Sequence, residues 1–323
     1  MIHCELFRII KPGLSTTVQD LGRFGYQRYG VGVSGAMDSY ALQIANILVG
    51  NDRNASVLEI TQGGLEIQIL QDCVIALTGA DFSAQIDAQH FPMWKSLRAK
   101  AGQLLSFGQP KYGMYTYLAV AGGIDVPVVM GSRSTYMRAN LGGFHGRALK
   151  KNDVILGRSI DYSNKKFISK RVPPMFLPNY QTERKIRVIV GPDLLHFTKE
   201  AIQTFLSEEF ELTTTSDRMG YRLKGPTLGH MDGRADILSD AIMPGTIQVP
   251  GNGDPIILLA DRQTTGGFPR IATVITVDLP YVVQRRPGEQ LSFEAVTVEE
   301  AQKLYREKEK FIKASNILRN SYS

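Results

Sequence analysis

Asp261, Arg262, Gln263, Thr264 and Thr265 stand directly in front of a Gly266-Gly267 pair, so one carboxylate, one guanidinium, one amide and two hydroxyls crowd a single turn. Glycine leaves backbone amides open to a ligand, and arginine adds a planar fork that matches a carboxylate or a phosphate. The apolar run at 256–259 reads as a core strand that delivers this turn to the surface. The same residues also fit a tight hairpin whose Asp and Thr bond only their own backbone, and the segment alone leaves both readings open.

Four further Gly-rich segments carry the same mixture of one charge with hydroxyls or amides. Pro12-Gly-Leu-Ser-Thr-Thr-Val-Gln-Asp20 leads into Gly22-Arg-Phe-Gly-Tyr-Gln27, which contributes Arg23 and Gln27. Ser34-Gly-Ala-Met-Asp38 opens a helix, and Gly122-Gly-Ile-Asp-Val-Pro127 precedes Gly131-Ser-Arg-Ser-Thr135, the source of Arg133 and Ser134. Ser216-Asp-Arg-Met-Gly-Tyr-Arg222 supplies Arg218 in the second half. Each is an ordinary turn by itself, whereas their recurrence in one chain points to a shared polar cleft.

Other chemistries are disfavoured. Gly30-Val-Gly-Val-Ser-Gly35 satisfies GxGxxG, but polar, glycine-interrupted residues precede it where a dinucleotide fold needs a buried strand. Neither a GxxxxGK[ST] phosphate loop nor a GxSxG nucleophile elbow occurs. The histidines His3, His90, His145, His196 and His230 show no metal-ligand spacing, so no metal site is expected.

The 323 residues suffice for two domains, and 31 glycines with 15 prolines favour a turn-rich fold over helical bundles. A net charge of +6 suits an anionic small molecule or an acidic partner surface. No basic stripe with interleaved aromatics suggests nucleic acid. Cys4 and Cys73 are too few for a disulfide framework, which points to a reducing cytoplasm. The start lacks a signal-peptide pattern and no apolar run approaches the ~20 residues of a membrane span.

Strands are expected at 56–60, 65–70, 73–77, 115–120, 185–190, 246–249, 271–277 and 290–293, with short turns between them, a spacing that favours barrels or sandwiches. Asp38 and Gly50 bracket a helix over 38–49. Pro192 and Asp193 mark the start of another over 194–206, and a charged helix is expected over 297–311. Gly102-Gln-Leu-Leu-Ser-Phe107 and Gly288-Glu-Gln-Leu-Ser-Phe293 share glycine, leucine, serine and phenylalanine in register, suggesting two related β domains. The expected division is 1–157, a polar then proline-rich linker at 158–185, a second domain at 186–296, and a helix and tail at 297–323.

Thr17-Val-Gln-Asp20, Ser34-Gly-Ala-Met-Asp38, Leu118-Ala-Val-Ala-Gly-Gly-Ile-Asp125, Gly131-Ser-Arg-Ser-Thr135, Asp217-Arg-Met-Gly220, Ile247-Gln-Val-Pro250 and Asp261-Arg-Gln-Thr-Thr-Gly-Gly267 occur in order across about 5–295. On these motifs the chain resembles the KipA/PxpC family, which is similar to the carboxyltransferase domain of urea carboxylase. The resemblance implies a mainly β protein of two cyclophilin-like β-barrel domains with a few short helices and a cleft between them. It also implies a cytoplasmic heteromer with a KipI/PxpB-type subunit that, with a PxpA-type subunit, uses ATP and magnesium held by the complex to open 5-oxoproline to glutamate. Asp261, Arg218 and Arg133 are then the expected catalytic residues. Arg23, Gln27, Ser134, Gln248, Gln263, Thr264, Thr265, Gly266 and Gly267 would bind substrate or nucleotide. Asp261 fits the role of turn anchor or substrate contact better than that of general base. Two alternatives attach to the family: carboxyl transfer from carboxybiotin to a urea-like amide, with the biotin carrier supplied in trans because no Ala-Met-Lys-Met motif is present, and non-catalytic antagonism of a KipI-like kinase inhibitor.

Overall fold

A computed structural model describes residues 3–158 and 169–317. The chain separates into two units: Met1–Phe24 with Ser34–Gln181 and Ile312–Ser323, and Gly25–Val33 with Thr182–Phe311. Part of the expected linker, 159–168, and the tail from 318 lie outside the described residues.

The first unit holds β1 (His3–Pro12), β2 (Ser15–Gln19), α1 (Ser39–Val49), β3 (Val57–Thr61), β4 (Leu65–Ile69), β5 (Cys73–Asp81), β6 (Gln85–Ile86), β7 (Gln89–His90), β8 (Lys95–Ala99), β9 (Leu104–Ser106), β10 (Tyr112–Val120) and β11 (Val154–Arg158). They form a six-stranded sheet, β11-β1-β4-β9-β6-β7, and a five-stranded sheet, β2-β3-β10-β5-β8. In β4 the alternation is plain: Leu65, Ile67 and Ile69 are buried, while Glu66 and Gln68 are half-exposed. The apolar side joins Phe7 and Ile9 of β1 to Val18, Leu58, Ile75 and Leu118 of the other sheet in one core. Full burial of each such side chain is worth about 1.5–3 kcal/mol.

β5 has no such alternation, because α1 covers its other side. Asp38 caps that helix by accepting from the Ala41 N–H at 2.9 Å, and Gly50 ends it in the left-handed region at φ 82°. Thr78 of β5 donates its hydroxyl to the Ala41 carbonyl at 2.7 Å, fixing helix to strand. Residues 169–181 also lie on this unit. The Lys170 N–H donates to Ser96 Oγ at 2.9 Å, and the Tyr180 hydroxyl donates to the capping carboxylate of Asp38 at 2.6 Å.

The second unit holds β12 (Ile186–Val190), α2 (Lys199–Ser207), β13 (Phe210–Leu212), β14 (Gly220–Lys224), β15 (Asp240–Ala241), β16 (Thr246–Gln248), β17 (Ile256–Leu258), β18 (Thr265–Gly266), β19 (Arg270–Val274), α3 (Leu279–Val283), β20 (Gln290–Leu291) and β21 (Phe293–Ala295), followed by α4 (Val298–Ile317). Its eight-stranded sheet runs β20-β13-β14-β17-β16-β19-β12-β21. The two end strands are neighbours in sequence with only Ser292 between them, so the sheet curls into a nearly closed barrel. α2 seals it by placing Phe205 on Phe293, with ring centroids 4.5 Å apart. The architecture is mainly β, as the strand spacing and the resemblance imply. Gly102 and Gly288, the heads of the echoed hexapeptides, turn alike at φ 89° and 90° before strands β9 and β20.

The helix expected over 194–206 is corrected. Leu194–His196 makes a 3-10 turn and Phe197 is extended. α2 then starts behind Thr198, whose hydroxyl accepts from the Ala201 N–H at 3.1 Å. Asp193 does not cap because Arg270 claims it, donating from Nε at 2.6 Å and from its backbone N–H at 3.0 Å. A guanidinium, itself charged and bonding both carboxylate oxygens, outweighs the single N–H that a cap would offer.

Asp278 is an ion-pair member at 0% exposure, held by Arg187 from its N–H, Nε and Nη2 at 3.0, 2.9 and 2.6 Å. Asp278→Ala leaves Arg187 without its anion and is expected to lower stability by about 3–5 kcal/mol in urea unfolding. An unchanged midpoint would show the pair to be neutral for stability. A second expectation concerns acid. Burial pushes Asp193 and Asp153 up, but Arg270 and Arg147 outweigh it and hold both below the usual carboxyl range. Their contribution is complete above about pH 4 and is lost as pH falls through the depressed folded values. Urea midpoints taken from about pH 6 to about pH 3 should therefore fall, with a shallower fall in Asp193→Asn.

Candidate functional site

β2 ends by delivering Asp20, which is 3% exposed, into the Gly131-to-Thr135 loop. Its Oδ1 accepts from the Gly22 N–H at 2.8 Å, the Ser132 hydroxyl at 2.7 Å and the Ser134 hydroxyl, and its Oδ2 accepts from the Arg133 N–H at 2.6 Å. The Asp20 N–H donates back to Ser134 Oγ at 3.0 Å. Ser134 thus spends its proton on Asp20 and receives a backbone donor in return, which makes its hydroxyl part of the scaffold. Arg133, rooted by its N–H on Asp20, fixes Nε on the Val126 carbonyl at 3.1 Å. Its terminal Nη groups make no hydrogen bond among the described residues, so the loop presents a half-buried cation with a free fork.

Arg23 serves differently. It is fully buried, donating from Nε to the Val129 carbonyl at 3.0 Å and from Nη2 to the Ser134 carbonyl at 2.9 Å. A Cβ at Gly142 would come within 2.5 Å of Nη2, so the glycine is needed for the close approach. Gln27 lies half-buried in the 3-10 turn Gln27–Tyr29, which is grouped with the second unit. That turn, and not a strand, precedes Gly30 and Gly35. A Cβ on Gly35 would meet the Gly22 N at 2.9 Å, so this glycine allows loops to pack and has no phosphate-binding frame around it.

In the second unit the turn at 261–267 combines both of its possible forms. Its backbone is structural: Thr265–Gly266 pairs with Asp240–Ala241, the Ile242 N–H donates to the Thr264 carbonyl at 3.2 Å, and the Ile237 N–H donates to the Gly267 carbonyl at 2.9 Å. A Cβ at Gly266 would fall 2.3 Å from Ile242 Cδ1 and 2.7 Å from the Gln248 amide, so the glycine lets both side chain ends pack against the turn. Gln248 is buried and donates to the Phe268 carbonyl at 3.0 Å. The side chains of Gln263, Thr264 and Thr265, by contrast, make no hydrogen bond among the described residues.

Asp261 and Arg218 form a two-bond fork, Nε to Oδ2 at 2.9 Å and Nη2 to Oδ1 at 3.1 Å, reinforced by the Asp261 N–H on the Arg218 carbonyl at 2.9 Å. Both carboxylate oxygens are engaged, a geometry that anchors the turn to the 216–222 loop. Arg262 is the unusual member. It is 5% exposed and meets only backbone carbonyls, Ile242 from Nε and Leu259 from Nη1, both at 3.2 Å. Burial pushes its pKa down to about 10, which leaves it cationic at neutral pH with no carboxylate facing it among the described residues. Such a charge is costly unless an anion arrives.

A second buried polar group joins the Met37–Asp38 end of one of those motifs to Glu59 and Tyr117, which the motifs do not include. Glu59 accepts from the Met37 N–H and the Tyr117 hydroxyl, both at 2.8 Å, while the Asp38 N–H donates to Tyr117 at 2.7 Å. Burial, then Glu59 and Asp38, keep the Tyr117 phenol protonated far above its ordinary range. The sequence signal for Glu59 is a glutamate inside an apolar strand. Cys73 is no nucleophile, since burial, then Asp72 and Cys4, push its thiol up to about 12. Among the described residues, no three His, Cys, Asp or Glu side chains gather as a metal site, and no helix is long and apolar enough to cross a membrane.

Residues 29–295 match the family described as carboxyltransferase domain, subdomain A and B. The chain is 41% identical over 307 residues to the 5-oxoprolinase C subunit of Escherichia coli (strain K12), covering 95% of this chain and 96% of that protein. It is 39% identical over 297 residues to the Haemophilus influenzae protein of the same name, covering 92% and 93%. The crystal structure of the Kluyveromyces lactis urea carboxylase superposes with a TM-score of 0.85 at 31% identity, covering 98% of this chain but 29% of that one. The chain belongs to the carboxyltransferase domain family, subdomains A and B, within which the KipA/PxpC proteins, the 5-oxoprolinase C subunits, are its relatives.

Proposed function

We propose that this chain is the C subunit of an ATP-dependent 5-oxoprolinase, acting with a KipI/PxpB-type subunit to phosphorylate 5-oxoproline and with a PxpA-type subunit to release glutamate. The observation that carries this is the nearly end-to-end match to the 5-oxoprolinase C subunits, against coverage of under a third of the urea carboxylase. Such a complex would work in the cytoplasm, where ATP is supplied.

A lactam carbonyl is a poor electrophile. Transfer of the γ-phosphoryl of ATP to its oxygen releases ADP and converts that oxygen into a leaving group. Water then adds to the carbon, the tetrahedral adduct expels the ring nitrogen, which takes a proton, and a second water hydrolyses the resulting acyl phosphate to phosphate and glutamate. The protein must therefore steady negative charge before and during transfer. In the second unit, Arg262 offers a buried cation without a carboxylate, and Thr264 and Thr265 offer hydroxyls not otherwise engaged. The Arg218–Asp261 fork sets the turn that carries them, a positioning role that accounts for both residues without requiring Asp261 as a base. In the first unit, the free fork of Arg133 is suited to a carboxylate or phosphate. Magnesium accompanying the nucleotide is assigned to the complex as a whole.

The likeness to the urea carboxylase favours one other reading, carboxyl transfer from a biotin carrier supplied in trans to a urea-like amide. Purified chain combined with KipI-type and PxpA-type subunits separates the two. Glutamate should appear from 5-oxoproline only with ATP, and silence from the complete set would sink the proposal. Arg262→Met offers a sharper check, because its two effects are opposite in sign. Removing a buried, uncompensated cation should leave thermal stability unchanged or raised, while kcat/KM falls about 100-fold. Retained turnover in a folded variant would take Arg262 out of the site.

A further inference from the structure

The second unit carries a cavity that none of this chemistry uses. It has a volume of about 410 Å3, within the ~300–1,000 Å3 range of small-molecule pockets, and opens beside β14, the 213–216 turn and the 250–255 turn. Its floor is apolar, made by Pro250, Pro255 and Ile256. Its rim is polar, and the groups there differ in whether their charge is already spent.

Lys224 is spent. Its Nζ lies 3.1 Å from each oxygen of Asp254, and Asn252 Nδ2 donates to the same carboxylate at 3.0 Å. Arg222 is not. Its backbone is pinned on both sides, its N–H donating to Ser216 Oγ at 2.9 Å and its carbonyl accepting from the Thr213 N–H at 2.9 Å. Yet its guanidinium makes no hydrogen bond or ion pair among the described residues. Beside it the Thr213 and Thr215 hydroxyls lie 2.9 Å apart, so one proton is used between them and the other remains to donate. Two cations against one carboxylate leave the rim with a surplus positive charge located on Arg222.

We propose that this cavity binds a small organic acid, its oxyanion on Arg222 and the threonine hydroxyls and its short apolar body on Pro250, Pro255 and Ile256. A carboxylate and a phosphate monoester satisfy the same donors. The apolar floor accounts for the body, since an inorganic ion would leave Pro250 and Ile256 facing water.

Calorimetric titration of the full chain with cyclopentanecarboxylate and with cyclopentyl phosphate tests this and separates the two kinds of acid, with neutral cyclopentylmethanol as control. At least one acid should saturate with a Kd on the order of 1 mM. Arg222→Ala, a substitution at an exposed side chain, should weaken that binding at least about tenfold, the loss expected for a hydrogen-bonded charge. Arg262→Met should leave it unchanged, which keeps this site distinct from the proposed catalytic loop. Changes in the protein's backbone amide NMR shifts on addition of the acid should centre on 213–224 and 250–256. The proposal is overturned if neither acid saturates, if Arg222→Ala binds as tightly as the parent, or if the neutral alcohol matches the acids.

Discussion

Asp20 sits almost out of reach of water, and an isolated carboxylate there would cost several kcal/mol. Donors from its own following turn and from a loop more than a hundred residues later converge on it, so two distant stretches of chain have one arrangement in which the charge is satisfied. The consequence reaches outward from the carboxylate. Ser132 and Ser134 become struts, the Arg133 backbone acquires a fixed root, and Arg23 finds the Ser134 and Val129 carbonyls already in place. The candidate site of the first unit is therefore a surface consequence of how one buried acid is neutralised.

The same principle sorts the arginines of the chain into two kinds. Arg147, Arg187, Arg218 and Arg270 each grip an aspartate through more than one bond, and their charge goes into holding loops and strands together. Arg133, Arg222 and Arg262 are held in position by carbonyls or by their own backbone while their charge faces no carboxylate among the described residues. Ligand chemistry is to be sought at the second kind. An Arg-to-Lys exchange would be disruptive at the first kind as well, because an ammonium cannot span both oxygens of a carboxylate in the same plane.

How much of the fold and site is legible in the chain depends on how local the determining contact is. Asp38 and Gly50 announce α1 because cap and stop act within a turn of the residues they affect, and the alternation in β4 needs only its neighbours. The start of α2 escapes a local reading because the partner that removes Asp193 from capping, Arg270, is remote in sequence. Ser134 resembles a ligand contact for a similar reason: nothing near it in the chain discloses that Asp20 takes its proton. The turn at 261–267 is legible as an alternative between hairpin and ligand loop, and the structure divides these between backbone and side chains. Both copies of the hexapeptide echo place a left-handed glycine ahead of a strand.

The barrel of the second unit closes at a seam whose two lips, β20 and β21, are among the last strands to be made, and β21 lies parallel to β12, the first. Pairing Ile186 with Phe293 requires nearly the whole unit to exist before the seam can form. Chain topology of this kind makes for slow, late closure, because the entropy of a large loop is spent before its contacts form. During synthesis, then, β12 must wait as an unmatched edge while the intervening strands emerge, and the newborn chain passes through a stage in which premature pairing with another molecule competes with its own completion.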